Sequence, residues 1–465
     1  MNPRAKHPRN PRRVLAFDVA FTSRDDPMAR SPDIIRSPMI TRRQFSKLAG
    51  LSSAAALVPG IAQAQEPKSG TLPSSIAELK SRKSEATPIT VEERRERLER
   101  ARQLMRDNEL DAIFMIGGTS LLYFTNIRWW NSERLFAAII PAKGEPFYVC
   151  PAFEEDRARE QIANGPGGNN ADVRTWQEDE DPYRLVAVGL KDRAIGNGRL
   201  GIEERTTFVF SDGVAKAAPQ VTISSATPVT AGCRMIKTSH EIELMRLANQ
   251  VTLQAYEAVY KALQPGMTQY DFANLISEAY GKLGFRGDAS VNVGEWSALP
   301  HGSAKPQVIR EGTIVLIDDG CTVEGYQSDI SRTFVLGKAT DKMRAVFDIV
   351  HRAQSAALKQ ARPGVEAQSV DAAARKVIID AGYGPGYKHF THRLGHGIGM
   401  DGHEWPYLVH GDTLKLRRGM TFSDEPGIYI RGEFGVRLED DMHITEDGAE
   451  LFTPQSPSLE DPFGK

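Results

Sequence analysis

Apolar residues recur at helical spacing in a charged background from Val91 to Asn108, where Leu98, Ala101, Leu104 and Met105 mark one face. The unbroken apolar run Ala112 to Ile116 predicts a buried strand, and Leu135 to Ile140 and Phe147 to Cys150 predict two more. Gly117 to Trp130 reads as a loop-rich connection. Arg157 to Ala163 fits a helix, while Arg199 to Glu203 and Val221 to Ser225 fit strands, so this half of the chain reads as an α/β module. A break near Ala231 to Lys237 precedes a long helix. Thr238 and Glu241 form a capping-box pattern at its head, Ile242, Met245, Ala248, Val251, Thr252, Ala255 and Val259 share one face, and Pro265-Gly266 stops it.

A second helix spans about Thr268 to Lys282, and the pattern then recurs. Met343 to Ala361 runs up to Pro363-Gly364, and Ser369 to Ile379 runs up to Ala381-Gly382-Tyr383. Two helix pairs, each with strands of its own, hint at an internal duplication, although two amphipathic pairs can also arise independently. A pseudo-twofold arrangement would set the strands of both halves around a shared cleft.

Composition narrows the function by exclusion. The 465 residues are 40% hydrophobic and 25% charged with a net charge of −2, so nothing favours a nucleic-acid partner. Cys150, Cys233 and Cys321 are far apart and form no Cys-x-x-Cys pair, which reads as three buried free thiols, with one disulfide left open. Near the start, Thr41-Arg42-Arg43-Gln44-Phe45-Ser46-Lys47 precedes an apolar stretch, Leu48 to Ile61, and then Ala62-Gln63-Ala64. This resembles a twin-arginine signal peptide, with an apolar core too short to span a membrane. The expected organisation is a leader over 1–38 preceding a true start at Met39, a signal peptide over 39–64, a polar linker over 65–88, and domains over 89–232 and 233–465. The expected destination is the periplasm or the medium, reached folded through the twin-arginine machinery.

Five residues carry the candidate chemistry. Asp318 ends the apolar run Ile314 to Ile317; Asp329 lies in Gly-Tyr-Gln-Ser-Asp-Ile-Ser-Arg on what reads as the next strand of a hairpin. His396 sits in Gly-His-Gly-Ile-Gly, Glu425 precedes Pro426-Gly427, and Glu439 follows Arg437 by two residues on an apparent strand. Four carboxylates in one dry pocket repel one another strongly unless cations or protons neutralise them. Two divalent ions balance the charge, and paired metals generate a hydroxide nucleophile and clamp a tetrahedral intermediate. Asp319 reads as a turn residue bonding its own backbone, and Asp440 and Asp441 as a solvated edge or salt-bridge partners. Arg437 is placed to orient a carboxylate or to bind one from a substrate. His389, His392 and His403 crowd the same region as His396.

Together these contexts resemble the pita-bread metallopeptidases, the family of prolidase, aminopeptidase P, methionine aminopeptidase and the metal-free creatinase, from about Val91 to Phe452. The resemblance implies an α/β creatinase-like N-terminal domain and an α+β pita-bread catalytic domain with pseudo-twofold symmetry. It implies that Asp318, Asp329, His396, Glu425 and Glu439 hold two metal ions, with Asp329 and Glu439 bridging. Mn(II) suits the oxygen-rich set, and Co(II), Zn(II) or Fe(II) also fit. His301 and His403 match the family's two non-ligand histidines, so His301, His403 and Glu425 are the expected catalytic residues: Glu425 as proton shuttle, His403 as donor to the oxyanion, and His301 assisting. The implied substrate is a short peptide cut before proline, or a small amide, and the implied assembly is a homodimer. Trp129 and Trp130 are candidate walls for a proline ring.

One departure stands out. Prolidases commonly follow His-Glu-x-Pro with a basic residue, whereas this chain reads His403-Glu404-Trp405-Pro406-Tyr407. That leaves open a longer peptide, or a small-molecule enzyme on the same fold such as a creatinase-like amidinohydrolase or a metal-dependent sulfonium-propionate lyase. A non-catalytic peptide-binding relative is a third reading, and such relatives typically lose ligands.

Overall fold

The computed structural model describes residues 71–464, so the expected leader and signal peptide lie outside the described residues. The first described segment is not a bare linker. Leu72, Ile76 and Leu79 lie at helical spacing, a short helix α1 forms at Ser74–Ala77 with Ile76 fully buried, and Ser75 Oγ donates to the carbonyl of Ala258 at 2.7 Å.

Helix α2 (Val91–Asp107) starts with a capping box between Thr90 and Glu93. Beyond it, β1 (Ala112–Ile116), β2 (Ala137–Pro141), β3 (Phe147–Pro151), β4 (Asp172–Trp176), β5 (Arg199–Ile202) and β6 (Thr222–Ser225) form one mixed sheet in the order β4-β3-β2-β1-β5-β6. β1 runs parallel to β5 and antiparallel to β2. The segment read as loop contains helix α3 (Thr119–Thr125), five of whose residues are buried; its apolar run is too short to show a period. Helices α4 (Glu155–Ala163), α5 (Pro182–Asp192) and α6 (Phe208–Ala217) complete the layers. The sequence did signal α5, with Asp181 capping Tyr183 N–H and Pro182 in the first turn. The break near residue 231 turns out to be helical, α7 (Thr227–Arg234).

In α8 (Ser239–Tyr260) both reciprocal bonds of the predicted capping box are present, which contributes about 1 kcal/mol. Glu241 does more than cap: its other oxygen accepts from Arg97 Nη2 on α2 at 3.0 Å and from the Tyr326 hydroxyl at 2.6 Å, all buried. α9 (Gln269–Leu283), α10 (Asp341–Gln360) and α11 (Ala367–Ile378) complete the two helix pairs. Their strands separate into small sheets. β7 (Arg286–Gly287), β10 (Cys321–Val323) and β11 (Tyr326–Gln327) form one, and β8 (Ser290–Val293), β9 (Ile314–Asp318) and β12 (Arg332–Val335) another. β13 (Gly395–Gly397), β14 (Glu404–Leu408), β15 (Thr421–Asp424), β18 (Asp440–Ile444) and β19 (Ala449–Leu451) make a five-stranded sheet, beside the ribbon β16 (Gly427–Ile430) and β17 (Phe434–Arg437). One core cluster joins Leu98, Met105 and Ile113 of the first domain to Met245, Val251 and Ile317 of the second; another lies between α10, α11 and the five-stranded sheet. All three cysteines are buried free thiols.

Candidate metal centre and active site

All five predicted ligands converge on one cleft of about 220 Å³, with His301, His392, Arg393, His403 and Arg437 also in its wall. Asp318 is delivered by the end of β9. Asp329 is not on the other strand of that hairpin but in the irregular link between β11 and β12, where its N–H donates to Asp441 Oδ2 at 2.9 Å. Glu439 likewise lies between β17 and β18 rather than on a strand with Arg437. Three groups have ligand atoms within 4.8 Å of one another: Asp318, Asp329 and Glu439; His396, Glu425 and Glu439; and Asp329, His396 and His403. Asp329, His396 and Glu439 each belong to two of these sets, so the groups overlap in one continuous cluster.

The electrostatics favour cation binding. Burial, Asp329, Glu425 and Asp318 push the Glu439 carboxyl well above the usual range, and burial with Asp318 and Asp441 does the same to Asp329. Glu425 is raised to about 8, first by burial, against the opposing pull of Arg437. Burial also opposes ionisation of Asp318, but the Arg437 guanidinium and the Ser331 hydroxyl outweigh it and hold that carboxyl low. Asp329 Oδ1 is buried without a hydrogen-bond partner. His396 is lowered to about 3, chiefly by burial and then by His403, so its imidazole is neutral. Its Nδ1 faces the Gly397 carbonyl at 3.2 Å, leaving the Nε2 lone pair toward Glu425 Oε1 at 3.4 Å and Asp329 Oδ2 at 3.7 Å. An oxygen-rich set with one neutral imidazole fits a pair of divalent ions.

Several side chains differ from their sequence reading. Arg437 has no fork to spare for a substrate: its donors go to Asp318, to Ser331 Oγ at 2.8 Å, to the Pro300 carbonyl and to Tyr429 Oη at 3.1 Å. Asp440 and Asp441 are fully buried, because β18 lies inside its sheet between β15 and β19. Asp440 is a salt-bridge partner, at 2.7 Å from Arg332; Asp441 accepts from Asn249 at 3.0 Å besides Asp329 N–H. Asp319 has the positive φ of a turn residue, 94°, but its carboxylate reaches across to Ser290 N–H at 2.9 Å. Trp129 stacks on Phe136 at 4.0 Å within the first domain and Trp130 is 85% exposed; neither lines this cleft.

His403 lies face to face with His396, ring centroids 3.7 Å apart, and His301 is exposed at the rim. Ser331, which no sequence signal marked, has its hydroxyl 2.6 Å from Asp318 Oδ1 and 2.7 Å from Glu439 Oε2. A hydroxyl has one proton, so the second contact uses a proton on a carboxyl, in line with the raised Glu439. His392 donates or accepts at Tyr429 Oη at 2.7 Å, and the Arg393 guanidinium lies 4.1 Å over the Tyr407 ring.

Comparison with known proteins agrees with this geometry. Residues 243–446 match the model of metallopeptidase family M24, and residues 97–236 match the creatinase/prolidase N-terminal domain. The chain is 34% identical to an Xaa-Pro dipeptidase of Lactobacillus delbrueckii over 370 residues, covering 78% of this chain and 98% of that one. It is 36% identical to a probable dipeptidase, PepE, of Mycobacterium tuberculosis over 76% of this chain and 92% of the relative. Among solved structures, the dipeptidase PepE of Mycobacterium ulcerans superposes with a TM-score of 0.75 at 33% identity, covering 80% of this chain and 99% of that one. The prolidase of Pyrococcus furiosus gives 0.64 at 30%, with 76% and 99% covered. With both domains matched and a cleft chemistry that suits metal-dependent hydrolysis, the chain belongs to the M24 metallopeptidases and carries their pita-bread fold behind a creatinase-type N-terminal domain.

Proposed function

We propose that the protein is an exported Xaa-Pro dipeptidase with two divalent metal ions held by Asp318, Asp329, His396, Glu425 and Glu439. The convergence of four carboxylates around one neutral imidazole carries the metal assignment. Bound divalent ions, manganese best matching the donors, supply Lewis acidity toward the scissile carbonyl and lower the pKa of the attacking water. Glu425 takes the proton released as water adds to that carbonyl and returns it to the departing proline nitrogen when the C–N bond breaks. His403 donates to the oxygen on which negative charge develops, and His301 at the rim assists binding or proton transfer.

Substrate size follows from the cleft, whose volume lies below the roughly 300 Å³ at which ordinary ligand pockets begin. Arg393 supports a dipeptide. It lines the cleft and rests on the Tyr407 ring, and it has no acidic partner among the described residues. A cation standing beside the position where the basic residue of His-Glu-x-Pro-basic is missing can receive the substrate's terminal carboxylate. Arg393→Met should raise KM for Ala-Pro by roughly thirtyfold, about 2 kcal/mol for a charged hydrogen bond, with a smaller change in kcat. Metal-reconstituted protein assayed on Ala-Pro, Ala-Pro-Ala and creatine tests the whole reading: cleavage of Ala-Pro alone is expected, and no metal-dependent cleavage of either peptide would sink it.

Export rests on the Arg42-Arg43 motif and its small-residue cleavage site. Replacing both arginines by lysine should retain the protein in the cytoplasmic fraction. The homodimer rests on the family likeness alone, and light scattering of purified protein measures it.

A further inference from the structure

The loop that carries His403 is gripped from the other domain. Its single acidic side chain, Asp401, receives Thr119 Oγ1 at 2.6 Å and Arg205 Nη1 at 3.2 Å on one oxygen, and Arg234 on the other. Arg205 also donates from Nη2 to the carbonyl oxygen of His403 itself, at 3.1 Å. Directly after His403, Glu404 is buried between Arg234 and Lys237, each at 2.5 Å. The residues on both sides of the histidine are therefore fixed by charge-assisted bonds, while Gly399 and Gly402 leave the intervening backbone few restraints of its own.

The origin of the grip is topological. Thr119 opens α3 just after β1, and Arg205 follows β5; β1 and β5 are adjacent and parallel, so their C-terminal ends lie side by side. In open α/β sheets that edge is where ligands are ordinarily bound. Here the Met400 to His403 loop of the catalytic domain meets it.

We infer that Thr119 and Arg205 are positioning residues for His403, acting through Asp401 and the His403 carbonyl, so that the N-terminal domain of the same chain is a working part of the catalytic loop. This rests on the oxyanion role given to His403 above. A donor displaced by about 1 Å can lose a hundredfold in rate while substrate binding, made elsewhere in the cleft, is spared.

The full chain loaded with Mn(II) and assayed on Ala-Pro tests this. The Thr119→Val/Arg205→Met double variant should lose about tenfold to a hundredfold in kcat with KM within about twofold, at wild-type metal content and thermal midpoint. Thr119→Ser, which keeps the hydroxyl, should restore the rate when it replaces Val in that double variant more than any other residue does. In a His403→Ala background the same double substitution should change kcat by less than about twofold, because changes acting through one residue do not add. Should the double variant fail to fold, Thr119→Val and Arg205→Met made singly read the two contacts one at a time and should each show the same split. Wild-type kcat in the double variant, or an equal loss with His403 already absent, would overturn the inference while leaving the dipeptidase reading intact. Undiminished turnover by His403→Ala alone would remove the oxyanion role and this inference together.

Discussion

Ser331 shows how a small side chain governs the charges around it. One hydroxyl touches Asp318 and Glu439 and accepts from Arg437 Nε, so three ionisable groups are oriented by a single atom. Ser331→Ala should leave the fold nearly unchanged and weaken metal affinity about tenfold to a hundredfold, as loss of a bond to a ligating carboxylate does; isothermal titration with Mn(II) measures it. The ligands themselves were legible in the sequence because each stands in a short context that constrains its backbone: glycines around His396, a proline after Glu425, an apolar strand before Asp318. Ser331, Arg393 and Asp441 were not. A serine between Ile330 and Arg332 and an arginine between His392 and Leu394 look like any others, and their roles arise only when distant segments meet. Of the two readings of Arg437, orienting a carboxylate holds and binding a substrate does not, because Asp318 and Pro300, both remote in the chain, take up its donors.

At the level of elements, periodicity located the long helices well, because α2, α8, α9, α10 and α11 each keep an apolar face over several turns. It failed for α3 and for the links that carry Asp329 and Glu439, where neither period is sustained. Close packing of strands explains two expected sensitivities. A methyl group on Gly395 would sit 2.0 Å from the Ser423 carbonyl oxygen, so Gly395→Ala must push β13 off β15 and carry His396 with it. The variant should bind metal measurably more weakly than the parent in the same titration. Arg332 in β12 is wholly buried and bonds Asp440 together with the carbonyls of Glu439 and Pro454. Arg332→Met leaves the buried Asp440 without its cation, which costs about 3 to 5 kcal/mol in urea unfolding.

For the molecule as a whole, the raised carboxyls set the response to chelation. Glu425 moves from 4.5 to about 8, and Asp329 and Glu439 also move up. A carboxyl whose folded value exceeds its unfolded one stabilises the fold while protonated; that contribution is whole below the unfolded value and is lost as pH rises through the folded one. Protein treated with EDTA should therefore lose thermal stability between about pH 5 and about pH 8, and added Mn(II) should restore most at the upper end. A midpoint indifferent to pH over that range would contradict the charge balance described here. Asp318 shifts in the opposite direction and acts only at lower pH.

Glu241 has one more consequence. The same carboxylate begins the first helix of the catalytic domain and anchors Arg97 of its neighbour, and the apolar cluster beneath is common to both. Part of the interior of each half is therefore shared with the other. Calorimetry should accordingly record one endotherm rather than two, and an isolated catalytic half should melt without cooperativity.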